Sequence, residues 1–211
     1  MGADKQFRLL DGRPMMCWAA RPLLEALVGP LVVVVPAGRI EEVEDLFLSH
    51  LPALVSRIRL TAGGERRQDS VRAGLDVVAE AQTVVIHDAA RPFASRGLCE
   101  RVARRAVAGR AVVPALPIHD TLKEIDGDRV VTTRDRSRFV VAQTPQGFPL
   151  AVLSQAHDEA ESPEATDDAE LCERLGIPVT WIHGEDLNRK LTDPDDWAWA
   201  ERTLAHSDVR W

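Results

Sequence analysis

The sequence predicts an α/β protein, a mostly parallel sheet flanked by helices, folded as a single domain over residues 1–211. Three observations carry that expectation. Short β-branched apolar runs alternate with stretches of helical periodicity, the signature of βαβ units. A chain of 211 residues with 45% hydrophobic content is long enough to bury one full core. Internal repeats, low-complexity tracts and long charge blocks are absent, and the one linker-like segment, 158–163, is too short to separate domains.

In chain order, strands are expected at 31–36 (LVVVVP), 57–60, 84–87, 111–116 and 178–183, each consistent with a buried strand. Helices fill the gaps. Over 70–80, Val71, Leu75 and Val78 share one face, while Leu98, Val102 and Val107 continue a second apolar stripe; both faces are expected to pack on the sheet. A helix over 194–205 closes the pattern. One interval breaks the alternation: Asp126-Gly127 separates two short polar-apolar runs, a hairpin signal. Residues 121–141 therefore read as a projecting β-arm, either a plain surface hairpin or, better suited to its charged and threonine-rich tips, a contact with another subunit.

Composition narrows the function. A formal net charge of −7 disfavours a nucleic-acid binder, which would carry a clustered excess of Lys and Arg. No apolar run approaches the roughly 18 residues that cross a membrane, and the first residues lack the apolar centre of a secretion signal. A cytoplasmic protein with no membrane partner is the simplest reading. Cys17, Cys99 and Cys172 are odd in number and far apart, which supports neither a disulfide framework nor a zinc site. Of 26 basic residues only Lys5, Lys123 and Lys190 are lysine; either they are a random remainder or they stand where a compact point charge is needed.

The chemistry is expected at 84–93, VVIHDAARPF, where an apolar strand runs into polar residues, because ligands of open α/β sheets gather at the carboxyl ends of strands. Asp88 there can hold Mg²⁺ or a substrate hydroxyl, or else cap the next helix. Arg91 can grip a phosphate, and Ala89 and Ala90 let a sugar or base approach the backbone. Upstream, Gly63, Gly64 and Ser70 join a strand to a helix N-terminus, where a base or phosphate can bind.

Together with GGERRQDSVRAGL, VVIHDAARPF, LPIHDTLK, DRSRFVVAQTPQGF, ATDDAEL and NRKLTDPDD, in that order, the chain resembles the 2-C-methyl-D-erythritol 4-phosphate cytidylyltransferases of the non-mevalonate isoprenoid pathway. The resemblance spans nearly the whole chain. It implies a Rossmann-like fold, a homodimer formed through the β-arm, and attack of methylerythritol 4-phosphate on the α-phosphorus of CTP, with Mg²⁺ on the phosphates. It assigns catalytic phosphate contacts to Lys5 and Lys190, with Asp88 as catalytic residue and metal ligand. Gly63, Gly64, Arg67, Ser70 and Ala89 would hold the nucleotide; Arg91, Thr121, Arg136, Thr144 and Thr166 would hold the sugar-phosphate, several from the neighbouring subunit. Lys123 falls in the LPIHDTLK motif. Glu65 departs from the family, standing where an aspartate is frequent.

A larger departure lies at the start. The family opens with a β-strand and a glycine-rich loop of the form AAGxGxR around the triphosphate, and Met1-Gly2 resembles residues just past that loop. The first central strand is therefore expected to be absent from the fold of this chain, with the DNA ahead of Met1 expected to encode strand and loop in frame. Two rival readings share most of the motifs: a relative acting on ribitol 5-phosphate, and a non-catalytic homologue if Met1 is the true start.

Overall fold

In the computed structural model, which describes residues 5–160, 165–206 and 211, a short antiparallel pair, β1 (Leu9–Leu10) and β2 (Arg13–Pro14), leads into α1 (Met15–Ala26). There follow β3 (Leu31–Val35), α2 (Ile40–His50), β4 (Ile58–Ala62) and α3 (Arg67–Val77). Next come β5 (Thr83–Ile86), α4 (Arg96–Val107), β6 (Ala111–Pro117), β7 (Leu122–Asp126) and β8 (Arg129–Arg134). The chain continues through β9 (Val140–Ala142), β10 (Gln146–Pro149), α5 (Leu150–Asp158), α6 (Asp168–Arg174), β11 (Val179–His183) and α7 (Pro194–His206). Residues 161–163 of the linker-like segment, and Met1 and Gly2, lie outside the described residues.

The larger sheet has the order β11-β6-β10-β5, with β9 also paired to β6. Strands β11 and β6 are parallel, whereas β10 lies antiparallel to both β6 and β5. Thus β5, β6 and β11 share one direction, as the α/β pattern predicts, and β10 is an antiparallel insertion that the strand pattern did not reveal. Its sequence, QGFP, is short and contains two residues that depress strand signals. Gly147 is what lets it fit: a Cβ there would stand 2.8 Å from Val102 Cγ1 and 3.2 Å from the Val102 carbonyl oxygen. Helix α4 can lie this close to the sheet only over a glycine.

The smaller sheet is β3 parallel to β4. Among the described residues β3 pairs only with β4, and β5 only with β10, so each keeps an unpaired edge. Both strands line one largely apolar slot of about 1000 Å³, walled by Val33, Val34, Val84 and Val85 and by side chains of α1, α3 and α4. At one end the slot opens on Arg67, Ser70, His87, Asp88 and Ala89.

Around this frame, Phe148 and Leu153 anchor the core beneath α5 and α6, while Leu10, Met15 and Trp197 form a second cluster beneath α7. Leu98 and Val102 are buried, but Val107 is 71% exposed, so the expected stripe stops one turn earlier. It is the last residue of α4, before the turn at Gly109.

The arm is shorter than 121–141. Its strands are β7 and β8, joined through Gly127-Asp128 with Gly127 at φ +60°, a position that favours glycine. Residues 140–141 instead begin β9 and return to the main sheet beside β6. Val140 and Val141 read as arm because they follow its polar-apolar pattern without a break, but pairing with β6 decides their place.

Candidate active site

Strand β5 ends at Ile86 and delivers His87 and Asp88 to the mouth of the slot. The segment before α7 comes back beside it: the Leu191 N–H donates to the Ala90 carbonyl at 2.8 Å. This crossing places Lys190 Nζ 2.8 Å from Asp88 Oδ2, with Arg91 Nε 3.9 Å from the same oxygen. Lys5 docks on the same returning segment, its Nζ donating to the Leu191 carbonyl at 3.1 Å. Two of the three lysines singled out by composition thus meet the 190–191 segment, Lys190 pairing with Asp88 and Lys5 with the Leu191 carbonyl.

Burial opposes ionisation of Asp88, but the hydrogen bond and charge of Lys190, then the charges of Arg67 and Arg91, outweigh it and hold its pKa below the usual carboxylate value. Asp88 is an anion at neutral pH. Arg91 is positioned by carbonyls, donating from Nη1 to Asn188 at 2.9 Å and from Nη2 to Ala142 at 3.3 Å. Its Nε is buried and without a hydrogen-bond partner among the described residues, leaving one donor facing the Asp88 pocket.

His87 stands behind this cluster. The Asp88 N–H donates to Thr144 Oγ1 at 3.0 Å, so the threonine hydroxyl proton is free to go to His87 Nδ1, also at 3.0 Å. The other ring nitrogen then donates to the Arg91 carbonyl at 3.1 Å. Burial pushes the His87 pKa down to about 4, with the Asp88 carboxylate opposing. The ring is a neutral brace that ties Asp88, Arg91 and Thr144 together.

Around the upstream turn, a Cβ on Gly63 would meet Ser70 Oγ at 2.6 Å and one on Gly64 would meet Asp69 Cβ at 2.4 Å. The glycines are required because α3 starts directly against them. Ser70 Oγ accepts from the Gly64 N–H at 3.2 Å, and Arg67 Nη2 pairs with Asp168 Oδ2 at 2.6 Å. Ala89 is exposed at the slot mouth.

The sugar-phosphate candidates divide. Arg91 and Thr144 belong to the Asp88 cluster, although Thr144 is 4% exposed and its hydroxyl is already engaged. Thr166 is exposed and donates to Glu170 Oε2 at 2.8 Å. Thr121 and Arg136 are exposed on the arm side, where Arg136 donates to the His119 carbonyl. Neither is hydrogen-bonded or ion-paired to Asp88, Arg91 or Lys190 among the described residues. Sequence reasoning missed Asn188, Asp168 and His157. Asn188 is fully buried and donates to the Thr144 carbonyl at 2.7 Å; its place in NRK, two residues before Lys190, was the signal for it.

A family model described as IspD, 2-C-methyl-D-erythritol 4-phosphate cytidylyltransferase, matches residues 1–206. The chain belongs to this family. A 2-C-methyl-D-erythritol 4-phosphate cytidylyltransferase of Prochlorococcus marinus is 40% identical over 97% of the chain and 92% of its own length. A bifunctional IspD/IspF enzyme of Solidesulfovibrio magneticus is 45% identical over 93% of the chain but 51% of its own length, so the chain spans about half of such relatives. Among solved structures, the 2-C-methyl-D-erythritol 4-phosphate cytidylyltransferase of Thermus thermophilus superposes with a TM-score of 0.82 at 35% identity, covering 97% of the chain and 95% of that structure. The IspD assignment fits the Rossmann-like α/β architecture described above. No helix among the described residues is long and apolar enough to cross a membrane.

Proposed function

We propose that the protein transfers the cytidylyl group of CTP to 2-C-methyl-D-erythritol 4-phosphate, releasing pyrophosphate. The observation that carries this reading is the pairing of Lys190 and Arg91 with the ionised Asp88 at the end of β5, with Lys5 held on the neighbouring Leu191 carbonyl, where the IspD motifs converge. A phosphate oxygen of the polyol forms a bond to the α-phosphorus, and the bond from that phosphorus to the bridging oxygen breaks, sending the electron pair out with pyrophosphate. Such a reaction depends on alignment and on neutralising charge that builds in the transition state. Lys5 and Lys190 supply cations on one side, and Arg91 adds a fixed positive charge beside Asp88 for the incoming phosphate. Asp88 orients Lys190, while Gly63, Gly64 and Ser70 present backbone and hydroxyl to the base, with Arg67 at the slot mouth and Ala89 leaving room.

No cluster of three His, Cys, Asp or Glu side chains suited to a metal occurs among the described residues. That fits Mg²⁺, which is commonly held by one or two carboxylates plus substrate phosphates, with Asp88 as the protein's ligand. Bound there, the ion would neutralise charge on the nucleotide phosphates. The same reading includes a cytoplasmic homodimer, in which the arm carries Thr121 and Arg136 to the neighbouring site. Its support is the exposed apolar surface on and beside the arm, with Ile125 at 66%, Val130 and Val131 at 56% and Val141 at 55%.

Incubation with α-³²P-labelled CTP, methylerythritol 4-phosphate and MgCl₂ tests the chemistry. The label is expected in a cytidylylated polyol and not in pyrophosphate; label released as CMP alone would overturn the reading.

A further inference from the structure

Arg67, the first residue of α3, is held from an unexpected direction. Its Nη2 lies 2.6 Å from Oδ2 of Asp168, a residue 101 positions away at the start of α6 and fully buried. The second oxygen, Oδ1, is 3.0 Å from Nε2 of His157, near the end of α5 and 4% exposed. A carboxylate that accepts from Arg67 with one oxygen needs a donor at the other, so His157 carries its proton on Nε2. Its Nδ1 is buried without a hydrogen-bond partner among the described residues, which leaves Asp168 as the ring's only polar tether there.

This arrangement is a poor way to gain stability. A desolvated ion pair of this kind is often no better than apolar packing of the same volume. What it provides is orientation: a free arginine side chain carries about 2 kcal/mol of rotamer entropy, and a fork with one prong fixed loses less on binding a ligand. The rest of the guanidinium is not spent on the protein. The Arg67 side chain is 32% exposed, it lines the slot mouth with Ser70 and Asp88, and Asp168 is its one side-chain hydrogen-bond partner among the described residues.

We propose that Asp168, itself oriented by His157, is a positioning residue that holds the Arg67 guanidinium toward the nucleotide, so that three helices, α3, α5 and α6, set the geometry of one ligand contact. The inference rests on the cytidylyltransferase reading. It gives a job to two buried polar residues that touch no substrate.

Steady-state kinetics on Asp168→Asn, His157→Leu and His157→Gln separate positioning from folding. Asp168→Asn and His157→Leu are expected to raise KM for CTP about tenfold and about fivefold, with kcat and KM for the polyol phosphate within about twofold of the parent. His157→Gln, which keeps a donor for Asp168, is expected to restore KM for CTP to within about twofold. Introducing Asp168→Asn into an Arg67→Gln background should add nothing further. An unchanged KM for CTP with a fall in kcat and Tm would overturn the proposal, because that is the signature of lost folded protein. Side-chain ¹⁵N NMR decides independently of turnover: separate, slowly exchanging Arg67 Nη signals are expected in the parent and are expected to collapse in Asp168→Asn. Identical Arg67 signals in both proteins would overturn the positioning role. Absence of cytidylyl transfer by the parent would instead count against the proposed function, with the NMR comparison still deciding the role of Asp168.

Discussion

Asp88 concentrates the chemistry because its charge survives burial only through Lys190, Arg67 and Arg91. Removing either end of the 2.8 Å pair should therefore be felt in the transition state. Lys190→Ala and Asp88→Ala are each expected to lower kcat by about 10²–10³-fold; Tm should stay within a few degrees, and near-parental kinetics in either variant would contradict the assignment. His87 makes a pH prediction of definite sign. Its folded pKa, about 4, is below the roughly 6.5 of an unfolded histidine, so between these values the unfolded chain binds the extra proton. Stability should fall by about 2–3 kcal/mol as pH drops from about 6.5 to about 4. Urea denaturation should show that slope reduced by one proton in His87→Gln. Asp88 acts in a lower window: its depressed pKa adds stability above the unfolded value that is lost only as pH falls through the folded one. At this scale the sequence was informative where motifs are contiguous, as in HDAAR and NRK. It was silent on Asp168 and His157, whose meeting depends on how α5 and α6 pack against α3.

Elements were legible where periodicity is strong. The runs at β3, β5, β6 and β11 lie within two residues of their expected bounds, because buried strands leave unbroken apolar stretches. β10 has no such stretch, yet it sits at the centre of the larger sheet between β6 and β5. Its identity comes from contacts the chain makes only when folded, with Phe148 fully buried and Gly147 beneath α4. Gly147→Ala should cost about 1–3 kcal/mol, since the added methyl must push Val102 and the helix backbone away. Chemical denaturation measures this directly; a change under about 0.5 kcal/mol, the size of an ordinary surface substitution, would mean that α4 does not lie as close as described.

At the scale of the whole molecule, the proposed dimer contact falls on the arm. The hairpin β7–β8 exposes apolar side chains and carries little core of its own, and exposed edges invite pairing. Val131→Glu is expected to convert a dimer into a monomer in analytical ultracentrifugation, whereas a parent that sediments as a monomer would remove the arm's proposed role. If sites are shared, mixing Arg136→Ala with Lys190→Ala subunits should recover roughly a quarter of parental activity, the statistical share of one intact site among four combinations. The slot between β3 and β5 was not legible in local patterning, because its walls come from elements far apart in the chain. The most direct test of the cytidylyltransferase reading is turnover by the purified protein. With CTP and Mg²⁺, kcat/KM for 2-C-methyl-D-erythritol 4-phosphate is expected to exceed that for ribitol 5-phosphate by about 100-fold or more, a discrimination of about 2.7 kcal/mol. Equal turnover of the two, preference for ribitol 5-phosphate, or no transfer to either would contradict it.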